Sequence, residues 1–167
     1  MIEVKELSFM ESKPFLNTFY IEEKPTFSDW YEAEDETAEY IWIIEDFTKP
    51  RGFLSYKVFV LPNSEDFLYI VKIYALNGYK GREAILFNEE RVSEILFRQI
   101  VIKGINILTL ESADEKLDAY YKKLGFEYNA EKSRIFSSVI DGKSRDIMIR
   151  EVKRTISDTE KHLFGEQ

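Results

Sequence analysis

Apolar side chains in the first half of the chain follow the spacing of β-strands. Residues 2–7 (IEVKEL) alternate apolar and polar positions, as a strand with one buried face does. Three longer runs, at 39–46, 51–61 and 66–76, are rich in β-branched and aromatic residues and are separated by turns with proline or glycine. Gaps this short favour antiparallel hairpins. The spacing therefore predicts a first strand and, later, three consecutive antiparallel strands.

Helical spacing occupies two stretches around these strands. Residues 12–33 combine it with two prolines, which predicts a helix starting near Ser12 and Pro14 and a second short helix beyond Pro25. In residues 83–103 the apolar positions fall near one face and charges fill the other. A long helix is therefore predicted directly after the last of the three strands.

A short strand and a helix with recognisable ends come next. Residues 105–110 (INILTL) are an apolar, strand-like run. Asp114 is a suitable N-cap for a helix whose large side chains recur at i, i+3, i+4 and i+7, and Gly125 is a suitable residue just past its end. Further strand candidates lie at 127–128, 134–140 and 146–152.

These elements indicate one domain of the α/β or α+β class. Residues 1–152 would form a mixed, mostly antiparallel sheet of six or seven strands with helices on both faces. Residues 153–167 would form a polar C-terminal helix or tail. The chain has 167 residues, of which 44% are hydrophobic, so it can bury a substantial core and is not globally disordered.

The charge of the chain limits its partners. It carries 31 acidic and 23 basic residues, a formal charge of −8. Duplex binding depends on basic residues that neutralise phosphates, so we expect no nucleic-acid partner. An acidic protein is compatible instead with a cationic small substrate or a basic protein partner.

Missing residue types exclude several chemistries. The chain has no cysteine, and its single histidine is His162. Disulfides, thiolate zinc sites and a cysteine nucleophile are excluded, and one histidine does not support a metal site or a Ser-His-Asp triad, so we expect no metal. The start lacks the apolar core of a signal peptide, and no stretch approaches the roughly 20 apolar residues of a membrane span. We therefore expect a cytoplasmic protein with no membrane partner.

The stretch 77–84 (NGYKGREA) follows the strand 66–76 and opens the predicted helix. A glycine-rich turn at such a place brings backbone N–H groups and the positive helix end together, a geometry that binds phosphate. Lys80 and Arg82 would add positive charge. Asn-Gly and Lys-Gly are also common turn pairs that need no ligand. The loop alone leaves both interpretations open.

Two segments resemble the motifs of one enzyme family. The sequence AYYKKLGF at 119–126 resembles the LYEKLGF signature of the GNAT acetyltransferase superfamily. Upstream, IYALNGYKGREA at 73–84 resembles the LYVHPEYRGKGIG segment of that family. The resemblance covers roughly residues 66–128, and the order of strands before it also fits.

The resemblance implies an N-acetyltransferase that moves an acetyl group from acetyl-CoA to a primary amine in a ternary complex. The acceptor would be an amine-bearing small molecule or a protein amine, and a homodimer is compatible because dimers are frequent in the family. Tyr121 would protonate the leaving thiolate, and a backbone N–H near Ala75 would polarise the thioester carbonyl. The implied cofactor-binding residues are Ile73, Tyr74 and Ala75 for the pantetheine arm, Lys80, Gly81, Arg82, Glu83 and Ala84 for the pyrophosphate, and Asp114.

The loop departs from the family pattern at two positions. Glu83 stands where the family has a glycine, and Ile85 where it has a last glycine or alanine. A carboxylate about 4–5 Å from a phosphate costs about 3–4 kcal/mol at an effective dielectric near 20, unless it points to solvent. The alternative function is therefore a non-catalytic protein of this fold that binds a partner through its acidic surface or its 153–167 tail.

The motifs leave the general base and the acceptor site open. Glu65, Asp66 and Tyr69 are candidates for the base by position alone. The run 32–39 (EAEDETAE), with five acids and no base, either draws a cationic amine towards an acceptor site or is a solvated loop. The aromatic residues that flank it are compatible with a pocket lining and with core positions; they are Trp30, Tyr31, Tyr40 and Trp42.

Overall fold

A computed structural model describes residues 1–23, 34–112 and 114–152 of the chain. The predicted helix boundary at Pro25 and the 153–167 tail lie outside these residues. Within them, no helix is both long and apolar enough to cross a bilayer. The elements, numbered in chain order, are β1 (Ile2–Leu7), α1 (Phe9–Glu23), β2 (Glu39–Glu45), β3 (Lys49–Val60), β4 (Asp66–Ala75), α2 (Val92–Val101), β5 (Ile107–Glu111), α3 (Glu115–Lys123), β6 (Glu127–Tyr128), α4 (Ala130–Ile140) and β7 (Ile147–Glu151).

The seven strands form one mixed sheet in the order β1-β2-β3-β4-β5-β7-β6. Neighbouring strands are antiparallel except β4 and β5, which run parallel. Helices α1 and α4 pack on one face of the sheet, and α2 and α3 pack on the other. The predicted fold class and the antiparallel hairpins are confirmed.

The first helix begins earlier than predicted. Ser8 and Glu11 cap it reciprocally: the Glu11 N–H donates to Ser8 Oγ at 3.2 Å, and the Ser8 N–H donates to Glu11 Oε1 at 3.1 Å. Pro14 therefore lies inside α1. Ser12 is buried, and its hydroxyl accepts a hydrogen bond from Trp42 Nε1 at 2.8 Å. The prediction of a start at Ser12 and Pro14 is wrong because the capping box upstream is the stronger signal.

The predicted strand at 134–140 is part of helix α4. Asn129 caps this helix by accepting the Lys132 N–H at 3.0 Å. The ring of Phe136 packs edge-on against Phe67 of the sheet, with centroids 4.7 Å apart. A short apolar run fits both a strand and a helix, and here the cap and the packing decide for the helix.

Aromatic side chains form the core beneath α1. The rings of Trp42 and Phe53 lie 4.8 Å apart, and those of Tyr40 and Phe53 lie 5.7 Å apart. All three side chains are fully buried. Tyr40 and Trp42 therefore occupy core positions, whereas Trp30 and Tyr31 lie outside the described residues.

Candidate active site

Strands β4 and β5 are paired over only three residues. Residues 68–70 pair with residues 108–110, after which β4 runs on to Ala75 while β5 ends at Glu111. Among the described strands, the pairing of β4 with β5 thus ends at Ile70 and Leu110, one residue before β5 itself ends. The edge of a strand can pair with an extended ligand as with an added strand. The splay that the resemblance implies between these strands stays a prediction.

A β-bulge at Val71 marks the point where the two strands part. On the β3 side, Tyr56 faces Ile70 and Ser55 faces Lys72, so Val71 is one extra residue in β4. A bulge bends its strand and increases its twist, and this one directly follows the last residue of β4 that pairs with β5. No glycine or turn residue signals this bulge in the sequence, and sequence analysis missed it.

The residues predicted to bind pantetheine lie directly beyond the bulge. Ile73 and Ala75 pack towards α2 and α3. Tyr74 faces α1, where its ring stacks on Phe53 with centroids 6.0 Å apart. All three lie beyond the pairing of β4 with β5, and their role in cofactor binding stays a prediction.

The loop after β4 is longer than predicted. Helix α2 begins at Val92, so the prediction of helix over residues 83–91 is wrong. The loop instead folds on itself: the rings of Tyr79 and Phe87 stack 5.7 Å apart, and Asn77 is hydrogen-bonded to the end of α1. The proposed phosphate residues Lys80, Gly81, Arg82, Glu83 and Ala84 are therefore not the first turn of a helix.

Arg91 brings this loop back to the start of α2. Its Nε donates to the Gly81 carbonyl at 3.0 Å, and its guanidinium lies 3.6 Å from Glu94. Asn88 and Glu89, with φ angles of 50° and 68°, interrupt any helix between loop and α2. An arginine at the N-cap has no acceptor atom, so its side chain caps none of the first-turn N–H groups, whereas the Glu94 carboxylate accepts the Arg91 N–H at 3.3 Å. A tertiary contact thus places a glycine-containing loop beside the N-terminus of α2.

The charged side chains of the loop face solvent. Lys80, Arg82 and Glu83 are all exposed. Glu83 forms no ion pair within the part of the chain that the structure describes. Lys80 Nζ lies 5.4 Å from the centre of the Tyr74 ring, on the α1 side of the sheet, whereas Arg91 is hydrogen-bonded to the Gly81 carbonyl at the start of α2. Arg91 is the residue that sequence analysis missed, because its role depends on where α2 begins.

Helix α3 has the ends that the sequence predicts. Asp114 Oδ1 accepts the Leu117 N–H at 2.8 Å, and Gly125, just past the helix, has a φ angle of +97°. Asp114 is therefore an N-cap. The contact with the cofactor that the resemblance implies for it stays a prediction.

Tyr121 is half-buried on the side of α3 that faces the sheet. Its ring lies 5.9 Å from Phe126 and 5.5 Å from Tyr120, and it packs on the same core as the open end of β4. Its hydroxyl makes no hydrogen bond within the described ranges. Burial, and then the charges of Tyr120 and Asp114, raise the pKa of Tyr121 above its ordinary value of 10.0. The phenol is therefore protonated at neutral pH, as a proton donor must be.

An open cleft of about 910 Å³ lies on the opposite face of the sheet, between the start of α1 and the end of α4. Residues 34–37, the described core of the acidic run, form one wall, and Tyr69 and Val71 of β4 belong to the floor. Of the three general-base candidates, Tyr69 lines the cleft, whereas Glu65 and Asp66 do not. The other wall includes Glu111, Asp141 and Arg145.

Comparison with known proteins bears on the fold. No protein-family model matches the sequence, and no curated protein matches it. A GNAT-family acetyltransferase from Staphylococcus aureus Mu50 matches in structure with a TM-score of 0.60 and 14% identity, over 92% of this chain and 100% of that chain. An acetyltransferase from Thermus thermophilus matches with a TM-score of 0.55 and 12% identity, over 91% and 97% of the two chains.

A plant enzyme shows the same likeness. Arabidopsis thaliana NAA60, solved with a bisubstrate analogue, matches with a TM-score of 0.52 and 12% identity, over 89% of this chain and 95% of that chain. Identities this low bear on the fold and not on the activity. The chain has the fold of the GNAT acetyltransferases.

Proposed function

We propose that this chain is an N-acetyltransferase that moves the acetyl group of acetyl-CoA to a primary amine by direct attack in a ternary complex. The observation that carries the proposal is the end of the β4–β5 pairing at Ile70, beside the Val71 bulge. Tyr121 packs on one face of the sheet, and the cleft that Val71 lines lies on the other. An opening between the faces at this point would let a thioester held on one side meet an amine held on the other.

The residues of this chain fit acetyl-CoA. Beyond its pairing with β5, strand β4 would offer backbone groups of Ile73 and Ala75 to the pantetheine arm. The first turn of α2, whose N–H groups the Arg91 side chain does not cap, would offer N–H groups to the pyrophosphate, and Arg91 and the Lys80–Arg82 segment tied to it would offer positive charge. The exposed position of Glu83 allows its carboxylate to point to solvent. Acetyl-CoA supplies the acetyl group as an activated thioester.

The chain's own groups have separate tasks in this proposal. A backbone N–H near Ala75 would stabilise the negative charge that develops on the carbonyl oxygen. Tyr121, kept protonated by its raised pKa, would give its proton to the leaving sulfur. The cleft would hold the amine near Val71, with Tyr69 as the candidate to relay the amine proton.

Arg91→Gln is expected to weaken acetyl-CoA binding about five- to thirtyfold, because it removes one charge-assisted contact to the pyrophosphate and the tie to Gly81. Titration calorimetry of the wild type and the variant measures this. Arg134→Gln, which removes an exposed arginine from α4, is the matched control and should bind as the wild type does. Unchanged binding by Arg91→Gln would place the pyrophosphate elsewhere.

The substitution Glu83→Gly tests whether the carboxylate of Glu83 prevents acetyl-CoA from binding to the loop. Because Glu83 is exposed, we expect the variant to change acetyl-CoA affinity by less than about threefold. Binding by Glu83→Gly together with no binding by the wild type would show instead that the carboxylate blocks the loop. No binding by either protein would contradict the acetyltransferase proposal.

A second candidate function is a non-catalytic protein that binds a partner through its acidic surface or its tail. The late start of α2 at Val92 favours it, because the loop motif lacks the helical turn that should follow Gly81 directly. If neither the wild type nor Glu83→Gly binds acetyl-CoA, this candidate takes precedence. Truncation after Val152 then tests the tail, since a tail-mediated contact is lost in the shorter chain.

A further inference from the structure

The cleft between α1 and α4 reaches the point where the pairing of β4 with β5 ends. Val71, the bulge residue, belongs to its floor, and Glu111, the last residue of β5, belongs to its wall. A volume of about 910 Å³ is that of a site for a molecule larger than a simple amine. The cleft therefore contacts parts of the acceptor beyond the reacting nitrogen, and its charges indicate what those parts are.

Most of the positive charge in the cleft is already neutralised. Lys57 Nζ lies 2.8 Å from Asp35 Oδ2. Arg145 is held by Asp141 at 2.7 Å and Glu111 at 2.8 Å, and these hydrogen bonds raise the pKa of Arg145 further above its ordinary range. A carboxylate or phosphate on the acceptor would have to displace one of these partners and leave it unpaired, unless it met Lys143, the one basic residue of the cleft with no ion pair within the described residues.

Two carboxylates of the cleft have no basic partner within the described residues. Glu34 and Glu36 flank Asp35, and both are exposed. Asp35 itself is fixed, since its carboxylate accepts the Thr37 N–H at 2.9 Å and its own N–H donates to Tyr40 Oη at 2.8 Å. These hydrogen bonds fix Asp35 in the wall of the cleft, and the exposed side chains of Glu34 and Glu36 on either side of it are accessible to a ligand.

We propose that the acceptor is a small molecule with at least two amino groups, of the diamine or polyamine class. This inference rests on the proposed function. One amine, unprotonated, would enter the opening at Val71, while a second, protonated amine would pair with Glu34 and Glu36. Five carboxylates and three basic groups line the cleft, so its negative charge exceeds its positive charge by two.

The transfer balances without a further reactant. The amine nitrogen forms a bond to the acetyl carbon as the C–S bond of the thioester breaks. The nitrogen loses one proton, which leaves through the cleft to solvent, and the sulfur receives one proton from Tyr121. Solvent then restores the tyrosine proton, and the products are the monoacetylated diamine and CoA.

Three acceptors of equal length test which charge the cleft prefers at the far end of the acceptor. Cadaverine has a second amine there, pentylamine has no charged group there, and the δ-amino acid of the same length has a carboxylate there. Thiol release at saturating acetyl-CoA and constant pH gives KM for each. We expect KM for pentylamine to be about tenfold higher than for cadaverine, and that for the amino acid to be higher again. Equal KM values for cadaverine and pentylamine would overturn the assignment.

The double variant Glu34→Gln/Glu36→Gln removes both unpaired charges and keeps the side-chain shapes. KM for cadaverine is expected to rise about tenfold, and KM for pentylamine to stay unchanged. The matched control is Glu127→Gln/Glu131→Gln, which removes two exposed carboxylates outside the cleft and should change neither value. An equal rise for both amines in the first variant would count against the second ammonium site.

Binding without acetyl-CoA separates this inference from the proposed function. If no acceptor releases thiol, calorimetry with cadaverine alone decides the matter. Cadaverine binding that is lost in Glu34→Gln/Glu36→Gln would uphold the cleft while the acetyltransferase proposal fails, and no binding would overturn the inference. If all three acceptors react with equal KM, the acetyltransferase stands and the acceptor class is wrong.

Discussion

Tyr121→Phe is expected to lower kcat by about 10²–10⁴-fold, the range observed when a general acid is lost. The substitution removes one oxygen and leaves the ring in place beside Phe126. The Kd for acetyl-CoA should stay within about threefold of the wild-type value, because the proton transfer stabilises the transition state and not the bound ground state. Thiol-release kinetics measure kcat, and calorimetry measures Kd.

The neighbouring tyrosine provides the control. Tyr120→Phe removes the same atom from a ring whose centroid lies 5.5 Å away, and kcat should stay within about threefold of the wild-type value. If Tyr121→Phe also keeps its kcat, Tyr121 has no part in the mechanism.

The pH dependence of kcat tests independently whether Tyr121 is the proton donor. A proton donor is lost as pH rises through its pKa, and burial raises the pKa of Tyr121 above 10.0. The wild-type kcat should therefore hold through pH 10 and fall only above it. The residual activity of Tyr121→Phe should lack this alkaline limb. An alkaline fall at the same pH in both proteins would assign it to another group.

Gly52→Ala is expected to lower the free energy of unfolding by about 2–3 kcal/mol. A β-carbon at this position would lie 2.4 Å from Val92 Cγ1 and 2.8 Å from the Tyr74 carbonyl oxygen. Val92 can yield only if the start of α2 moves, and the Tyr74 oxygen belongs to the backbone of β4. Because Ala75, which faces Gly52 in the sheet, is a proposed pantetheine contact, acetyl-CoA affinity should fall too. Urea unfolding measures the first effect and calorimetry the second.

Two variants test the cause of this loss. Val92→Ala, combined with Gly52→Ala, removes one of the two overlaps, so the double-mutant cycle should show a favourable coupling of at least about 0.5 kcal/mol. Ser55→Ala, on the same strand, is the control, because its buried hydroxyl has no hydrogen-bond partner within the described residues. Its removal should be neutral or slightly stabilising. Wild-type stability in Gly52→Ala would show that the helix start shifts freely.

Local signals were enough for elements whose ends depend on a few consecutive residues. Asp114 and Gly125 bound α3 as predicted, because a cap needs only a side-chain oxygen or a residue that tolerates a positive φ. Strands β2 to β4 were predicted because very short turns leave an antiparallel hairpin as the connection. The family motif then drew attention to Tyr121 on a helix that the spacing had already indicated.

Predictions failed where a distant contact competes with local spacing. Residues 83–91 have apolar positions at helical intervals, yet the stacking of Tyr79 on Phe87 and the tie from Arg91 to Gly81 hold part of them in a loop. Residues 134–140 fit a strand as well as a helix, and packing against the sheet favours the helix. Neither contact has a signature within the segment that it decides.

Amino-acid order alone was therefore sufficient for the fold class, the hairpins and the candidate proton donor. Three features depend on the tertiary structure: the point at which the pairing of β4 with β5 ends, the residues beside the start of α2, and the charged side chains that line the cleft. The Val71 bulge exists only in the register of β4 against β3, and Lys57 meets Asp35 only because β3 passes beneath the loop before β2. Contacts between segments far apart in the chain leave no periodic trace in either segment, because periodicity records only which side of an element is buried.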